Sequence, residues 1–319
     1  MKTDKTFGRK ELAVTTEKRI GDHQSGPLAQ AMERIAQLHR KEADLALSTF
    51  RRTGEMGSLL QLLIDEREAC SDQLTQRNRE IGALAFIMGK TEIALAAFNQ
   101  VLSRSPGDLA ALNCRGHVYR VRGEMKEAED DYSQVLELGT EGNDQAVACS
   151  LGHLGLVHHA RGDLSKAEDM HTRALEIERR LGRAEGMANQ YSNLGGVYQA
   201  RDDLLKAEAM HTQALTIYQT LGRMQAVAKE HNNLGHVYYL RQDWDQAEAM
   251  LIQALEISKT LGQVEDMAHQ HCDLALVCEG RGDLNRARAC AQKSLKLFRK
   301  AGVHDIVEEI QDWLKAHSP

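Results

Sequence analysis

The chain has 319 residues with a formal net charge of −6, only 4% aromatic residues and three prolines. Few aromatic residues disfavour an all-β protein, and the net negative charge argues against general attraction to nucleic acid phosphates. Alanine, leucine, glutamate, glutamine, arginine and methionine are abundant, and these residues lose little rotamer freedom in a helix. The composition therefore predicts a folded all-α protein.

The N-terminal part of the chain has the least regular sequence. Residues 1–26 are polar and lack the apolar stretch of a secretory signal, so we predict that they are disordered. Residues 27–74 hold two helical segments around a turn, which indicates either an N-terminal helical cap or a degenerate repeat. No apolar stretch approaches the roughly 18 residues of a membrane-spanning helix. The six cysteines form no C-x-x-C pair, so we expect reduced thiols and a cytoplasmic protein without membrane partners.

Between residues 75 and 302 the sequence repeats six times. A small residue recurs at spacings of 34, 39, 40, 40 and 40 residues, and an alanine stands twelve positions after each copy. Two helices approach closely only where the facing side chains are small. Each repeat is therefore predicted to be a helix hairpin in which the small residue meets that alanine. The small residues are Gly82, Gly116, Gly155, Gly195, Gly235 and Ala275.

Glycine and aspartate mark the turn inside each hairpin. In "ARGDL" (160–164) and "GRGDL" (280–284) the glycine suits the left-handed backbone at a helix end. The aspartate that follows suits the N-cap of the next helix. The Arg-Gly-Asp tripeptide is thus predicted to be a turn and not an adhesion motif. The predicted N-caps are Asp163, Asp203, Asp243 and Asp283.

Residues 303–319 contain an amphipathic pattern. A repeat array must cover its last apolar face, so we predict that this segment is a C-terminal capping helix. Docking of a partner on the same helix is the alternative. The apolar positions at helical spacing are Ile306, Val307, Ile310, Trp313 and Leu314.

The segments "NLGGVYQARDDLLKAEAMHTQAL" and "NLGHVYYLRQDWDQAEAMLIQAL" resemble the tetratricopeptide repeat (TPR), whose pattern combines L-G-x-x-Y with two later alanines. The 40-residue copies are similar to the lengthened repeats of kinesin light chains and spindle-orientation adaptors. The resemblance implies a right-handed α-solenoid, a superhelix of stacked antiparallel helix hairpins. It also implies a non-catalytic scaffold or adaptor that binds a peptide or partner segment in its concave groove. A peptide-gated regulatory (sensor) protein, whose superhelix changes on ligand binding, is the alternative.

The resemblance further implies which residues line the inner wall and contact a partner. Asn193 and Asn233 are the most informative, because TPR proteins that bind peptides often carry an asparagine just before the L-G pair. A side-chain amide can both donate to and accept from a peptide backbone; the alternative role is a cap or a bond to the neighbouring repeat. The candidate peptide- or partner-binding residues are Arg79, Asn113, His117, Arg120, His153, Asn189, Asn193, Gln199, Lys229, Asn232, Asn233, His236, Tyr239, His269 and Asp273.

Three of these residues, Arg79, Asn113 and Arg120, are similar to part of the clamp with which chaperone-binding TPR domains hold a terminal carboxylate. The matching lysines are absent elsewhere, and Asp273 brings the opposite charge, so we expect no complete clamp. A groove that is basic towards one end and acidic towards the other would instead orient an extended ligand by charge.

Nothing in the sequence indicates catalysis. It contains no glycine-rich phosphate loop, nucleophile elbow or pair of catalytic carboxylates. Among the 14 histidines, no pair has the i, i+4 spacing of an H-E-x-x-H metal site. His171 and His211 are predicted to pack between helices with one ring nitrogen hydrogen-bonded. We therefore expect no enzyme activity, no cofactor, no metal and no nucleic acid partner.

Overall fold

The computed structural model describes residues 57, 60, 61, 74–139, 142–303 and 305–317. The predicted disordered segment 1–26 lies outside the described residues, as does nearly all of the predicted cap 27–74. The described residues form helices joined by short turns and contain no strand. The predicted all-α class is confirmed.

The helices follow one another in two compact units that divide between Asp163 and Leu164. The N-terminal unit contains α1 (Leu74–Ile87), α2 (Thr91–Arg104), α3 (Leu109–Val121), α4 (Met125–Leu138) and α5 (Asp144–Ala160). The C-terminal unit contains α6 (Leu164–Arg180), α7 (Ala184–Ala200), α8 (Leu204–Thr220), α9 (Met224–Leu240), α10 (Trp244–Thr260), α11 (Val264–Gly280), α12 (Leu284–Ala301) and α13 (Asp305–Ala316).

Each unit is a stack of antiparallel helix hairpins, which is the arrangement of an α-solenoid. In the N-terminal unit α1 pairs with α2 and α3 with α4, while α5 packs on both α3 and α4. In the C-terminal unit α7 pairs with α8, α9 with α10 and α11 with α12. Consecutive hairpins pack through α8 with α9 and through α10 with α11. Local pairing of sequence neighbours is what the repeat predicts.

The two helices of a hairpin meet at the small residue that anchors the repeat. A Cβ atom on Gly235 would lie 2.8 Å from Leu251 Cγ, and one on Gly116 would lie 2.7 Å from Tyr132 Cε1. The alanine twelve positions after Gly235, Ala247, is fully buried as expected. The closest side chain, however, belongs to the residue sixteen positions after the glycine, which the sequence analysis missed. A large side chain covers the glycine, and this coverage is why the anchor has to be small.

Three of the four predicted N-caps, Asp203, Asp243 and Asp283, accept a hydrogen bond from the backbone of the helix that follows. Gly282 has φ of +88°, and Asp283 Oδ1 accepts a hydrogen bond of 3.1 Å from Arg286 N. The same turns in the two preceding hairpins place Asp202 (φ 63°) and Gln242 (φ 60°) in the left-handed region. These two non-glycine residues have a conformation that L-amino acids adopt at a cost.

An ion pair ties each turn to the preceding hairpin. Arg201 binds Glu168, and the same carboxylate accepts a hydrogen bond of 2.6 Å from Tyr198 Oη. One repeat later, Arg241 and Tyr238 bind Glu208 in the same way. The arginine of the Arg-Gly-Asp turn has this structural role too, because Arg281 Nη1 lies 3.1 Å from Glu248 Oε2.

The last helix, α13, packs against α12. Val307 and Ile310 are buried against Phe298, with Trp313 and Leu314 partly buried beside them. The predicted apolar stripe therefore faces the array, while Glu308 and Glu309 are exposed. No helix among the described segments is both long enough and apolar enough to cross a bilayer.

Candidate protein-binding surface

The first helices of the three C-terminal hairpins, α7, α9 and α11, are linked side by side through polar side chains. Ser192 Oγ on α7 donates a hydrogen bond of 2.6 Å to Glu230 Oε1 on α9. Two turns further along, Gln199 Nε2 lies 2.6 Å from His236 Nδ1. These bonds fix the spacing of the helices on which most of the candidate binding residues lie.

Three equivalent positions, 40 residues apart, form what we call the 193–233–273 row: Asn193, Asn233 and Asp273. All three side chains are partly exposed. Asn193 makes no hydrogen bond to any residue that the structure describes. Asn233 Nδ2 makes one long contact, 3.4 Å to Glu230 Oε2, so its carbonyl oxygen is available. The row therefore consists of two partly exposed amides and one partly exposed carboxylate.

Asp273 differs from the two amides in its electrostatics. Burial raises the pKa of its carboxyl group to about 6, and a hydrogen bond from Asn232 offsets part of that shift. Among the residues that the structure describes, no cationic side chain contributes to this balance. A desolvated carboxylate that has no cationic partner is stabilised when a positive charge approaches.

Next to the row lies an aromatic group on α9 and α10. The rings of His236 and Tyr239 stack with centroids 6.1 Å apart, and Trp244 packs edge-on against Tyr239 at 5.6 Å. Gln199, His236 and Tyr239 were all predicted site residues, and the structure brings them together.

The remaining predicted residues of this unit differ in availability. Lys229 on α9 is exposed and forms no ion pair with another described residue. Asn189 on α7 is exposed, but its Oδ1 accepts a hydrogen bond of 2.5 Å from Tyr218 Oη. His269 packs edge-on against Phe298 with centroids 4.8 Å apart, and burial lowers its pKa. Lys229 is thus the most accessible of the three for a partner.

Behind the row, two buried histidines each have one ring nitrogen within hydrogen-bonding distance of a side chain, as predicted. His171 Nδ1 lies 3.0 Å from Gln190 Oε1, and His211 Nδ1 lies 2.8 Å from Glu230 Oε2. Glu230 was not predicted to have a role. It is 1% exposed and joins Ser192, His211 and Asn233, so it supports the row from inside the hairpin.

In the N-terminal unit, two predicted residues bind other parts of the protein. Arg79 forms an ion pair with Asp108, the N-cap of α3, with 2.9 Å from Arg79 Nε to Oδ2. Asn113 is buried; its Nδ2 donates 3.1 Å to the Ala146 carbonyl and its Oδ1 accepts 2.5 Å from Ser150 Oγ. Both contacts are structural and join neighbouring helices.

The other three predicted residues of this unit, His117, Arg120 and His153, contact one another or neighbouring aromatic rings. The His117 ring lies 4.8 Å from the Phe86 ring and 5.0 Å from the His153 ring. His153 also stacks on Tyr132 at 5.1 Å, and Arg120 Nη2 lies 3.0 Å from His117 Nε2. Arg79, Asn113 and Arg120 therefore do not form an open clamp.

The structure also shows a candidate that the sequence analysis overlooked. Gly196 follows the anchor Gly195 on α7, and a Cβ atom added to it would have no neighbour within 4 Å. The signal was visible as two consecutive glycines inside a helical segment. In the described part of the chain, no group of three or more histidine, cysteine, aspartate or glutamate side chains has a geometry suited to a metal ion.

Known structures share this architecture. The chain is similar to BtubC (BKLC) from P. vanneervenii, with 22% identity over 68% of this chain and 91% of that one and a TM-score of 0.58. A tetratricopeptide repeat protein from Parabacteroides merdae is 17% identical over 90% of this chain and 99% of that one, with a TM-score of 0.58. A Rap protein complexed with competence and sporulation factor is 15% identical over 91% and 87%, with a TM-score of 0.63. At identities below 25%, these TM-scores show a common fold and nothing more.

The sequence itself carries the family pattern. No curated protein matches it in sequence, but the tetratricopeptide repeat model matches residues 107–180, 146–220 and 225–300. These matches span more than half of the chain and lie in the part that forms α3 to α12. The chain therefore belongs to the tetratricopeptide repeat family, whose fold is typical of scaffolds for protein–protein interaction.

Proposed function

We propose that the protein is a non-catalytic adaptor that binds a peptide or a segment of another protein on the exposed side of α7, α9 and α11. The observation that carries the proposal is the 193–233–273 row. Its two asparagine amides are largely without internal partners and recur at the same level of neighbouring hairpins. A peptide backbone that crosses the helices would meet a donor and an acceptor at each step.

Charge along this surface supports a defined direction of binding. Lys229 is exposed on α9, whereas Asp273 is the carboxylate of the row on α11. A ligand with both charges would therefore bind in one orientation better than in the reverse. We also propose that the protein acts in the cytoplasm, since the described cysteines are free thiols.

The test replaces both amides by alanine in the full chain. A displayed library of random 12-residue peptides would be selected on the wild-type protein, and the affinity of the best peptide would be measured by fluorescence anisotropy. Two lost hydrogen bonds of about 0.5–1.5 kcal/mol each predict a roughly tenfold weaker complex for Asn193→Ala/Asn233→Ala. The melting temperature should stay within about 2 °C of wild type, because neither amide has a strong internal bond.

A matched control carries the same chemical change on the second helices. Gln213 and Gln253 are exposed at equivalent positions of α8 and α10, so Gln213→Ala/Gln253→Ala should leave the affinity unchanged. If the asparagine variant melts much earlier, the amides have a structural role and the proposal loses its main support.

A peptide-gated regulator is the second candidate. It is favoured by the similarity to the Rap protein, whose known structure is a complex with competence and sporulation factor. Small-angle scattering of the full chain with and without a selected peptide would separate the candidates. A changed radius of gyration supports the regulator, and an unchanged one supports a scaffold of fixed shape.

A further inference from the structure

The exposed side of α7 has a depression at Gly196. Glycine has no side chain, and apart from the adjacent backbone of α7 no heavy atom of the described residues lies within 4 Å of the position that a Cβ would occupy. At the corresponding position the other repeats carry Ala83, His117, Leu156, His236 and Leu276. Only the repeat of α7 leaves this place empty.

Packing inside the protein does not explain this glycine. Its neighbour Gly195 is needed, because a Cβ there would collide with the ring of His211 at 2.6 Å from Cε1. Gly196 has no such neighbour, and a glycine inside a helix is less stable than alanine. A helix-interior glycine with open space above it permits another backbone to approach closely.

The side chains around Gly196 can form hydrogen bonds with the main chain of a bound peptide. The position lies between the two links that join α7 to α9, namely Ser192 to Glu230 and Gln199 to His236. These links bring the middle of α7 beside Asn233, and Asn193 lies one helical turn before Gly196. The depression is therefore flanked by two side-chain amides that can each donate to and accept from a peptide group.

The third member of the row sets the charge of the ligand. Asp273 is partly exposed and next to Asn232, and it forms no ion pair with any lysine or arginine in the part of the chain that the structure describes. Neighbouring packed helices lie about 8–10 Å apart, and an extended chain advances about 3.3 Å per residue. A segment that crosses from Asn233 to Asp273 would therefore use about three residues.

We propose that the ligand is an extended segment of a partner protein whose main chain lies against Gly196 between Asn193 and Asn233, and which places a lysine or arginine on Asp273. This inference rests on the proposed function and specifies its ligand. The basic residue would follow or precede the Gly196 contact by about three residues, the spacing set by the helices.

The experiment uses the full chain and the random 12-residue peptide library displayed on phage. Peptides selected on the wild type should be enriched in lysine or arginine at one position, and Asp273→Asn should remove that enrichment. For the best synthetic peptide, Gly196→Ala should weaken binding at least fivefold while raising the melting temperature. A loss of affinity combined with a gain of stability is not expected from a structural role.

Two controls isolate these effects. Asp169 is an exposed aspartate on α6, so Asp169→Asn changes the net charge equally and should keep the enrichment. Gln213→Ala repeats the change to alanine on a second helix and should keep the affinity.

The outcomes separate this inference from the proposed function. If the wild type selects peptides that bind Gly196→Ala equally well or lack a basic residue, the inference is wrong and peptide binding stands. If the wild type selects no peptide, both are wrong. If the peptides are lost on Asn193→Ala/Asn233→Ala but not on Asp273→Asn, the amides bind the ligand and the charge assignment fails.

Discussion

Two turn residues, Asp202 and Gln242, have the backbone conformation that glycine has elsewhere in this chain. Their φ angles are 63° and 60°, against 80° and 88° for Gly162 and Gly282 in the corresponding turns. An L-residue in the left-handed region costs roughly 1–2 kcal/mol, although aspartate tolerates it better because its short side chain bonds locally. The turn keeps its geometry because the capping aspartate and the arginine ion pair hold both of its ends.

Glycine at these two positions should therefore stabilise the protein. We expect Gln242→Gly to raise the free energy of unfolding by about 0.5–1 kcal/mol, which is less than the backbone cost because glycine also increases the entropy of the unfolded chain. Asp202→Gly should raise it by less, because aspartate tolerates the left-handed conformation better. Urea denaturation monitored by circular dichroism measures both. The reverse change, Gly282→Gln, should lower stability by about 1 kcal/mol; equal stability of all three variants would show that these turns carry no strain.

At the scale of the helix, the anchor glycine and the residue sixteen positions later act together. His211 covers Gly195, and Leu251 covers Gly235 one repeat later. The buried histidine needs a hydrogen-bonding partner, which is Glu230, whereas the leucine needs none. In the repeat of Leu251 the position of Glu230 is occupied by Gln270, whose Nε2 donates a hydrogen bond of 2.8 Å to Ser258 Oγ. Two neighbouring hairpins thus use different chemistry for one packing position.

This difference predicts a non-additive pair of substitutions. His211→Leu alone leaves the Glu230 carboxylate buried without its histidine and should cost about 3–5 kcal/mol. Adding Glu230→Gln, which reproduces the residues of the next repeat, should recover more than half of that loss. Chemical denaturation of the two single variants and the double variant gives the coupling energy, and additive losses would contradict the assigned pairing.

At the scale of the whole molecule, stability comes from contacts between neighbours along the chain. A repeat array behaves approximately as a line of units coupled to their nearest neighbours. The helix α13 contributes buried Val307 and Ile310 to the last hairpin, so its effect should be local.

Removing the buried side chain of α13 tests this locality. Ile310 is 1% exposed, and Ile310→Ala should destabilise the end of the array by about 2–5 kcal/mol. Hydrogen exchange should show lost protection in α12 and α13 and unchanged protection in α7. The exposed Glu308→Ala on the same helix serves as the control. Uniform loss of protection through α7 would mean that the C-terminal unit unfolds as one cooperative body.

The sequence predicted features that recur in every repeat and missed those that occur once. The glycine anchors, the buried alanines and the Asp283 cap were predicted because the same pattern of small residues recurs in six copies. Glu230 was missed because its burial results from Ser192 and His211, which lie 38 and 19 residues away on other helices. Gly195 and Gly196 look alike in sequence, and only the atoms around each Cβ position distinguish them.

The constant 40-residue period of the last hairpins has an evolutionary consequence. Duplication of one period would add a hairpin with another side chain at the level of Asn193 and Asn233, and it would lengthen the recognised segment by about three residues. The length of the recognised segment could thus grow in discrete increments. A single substitution at the new position in the row could then change which ligand residue that hairpin prefers. An insertion that does not contain a whole helix hairpin would shift the new side chain out of line with the earlier ones.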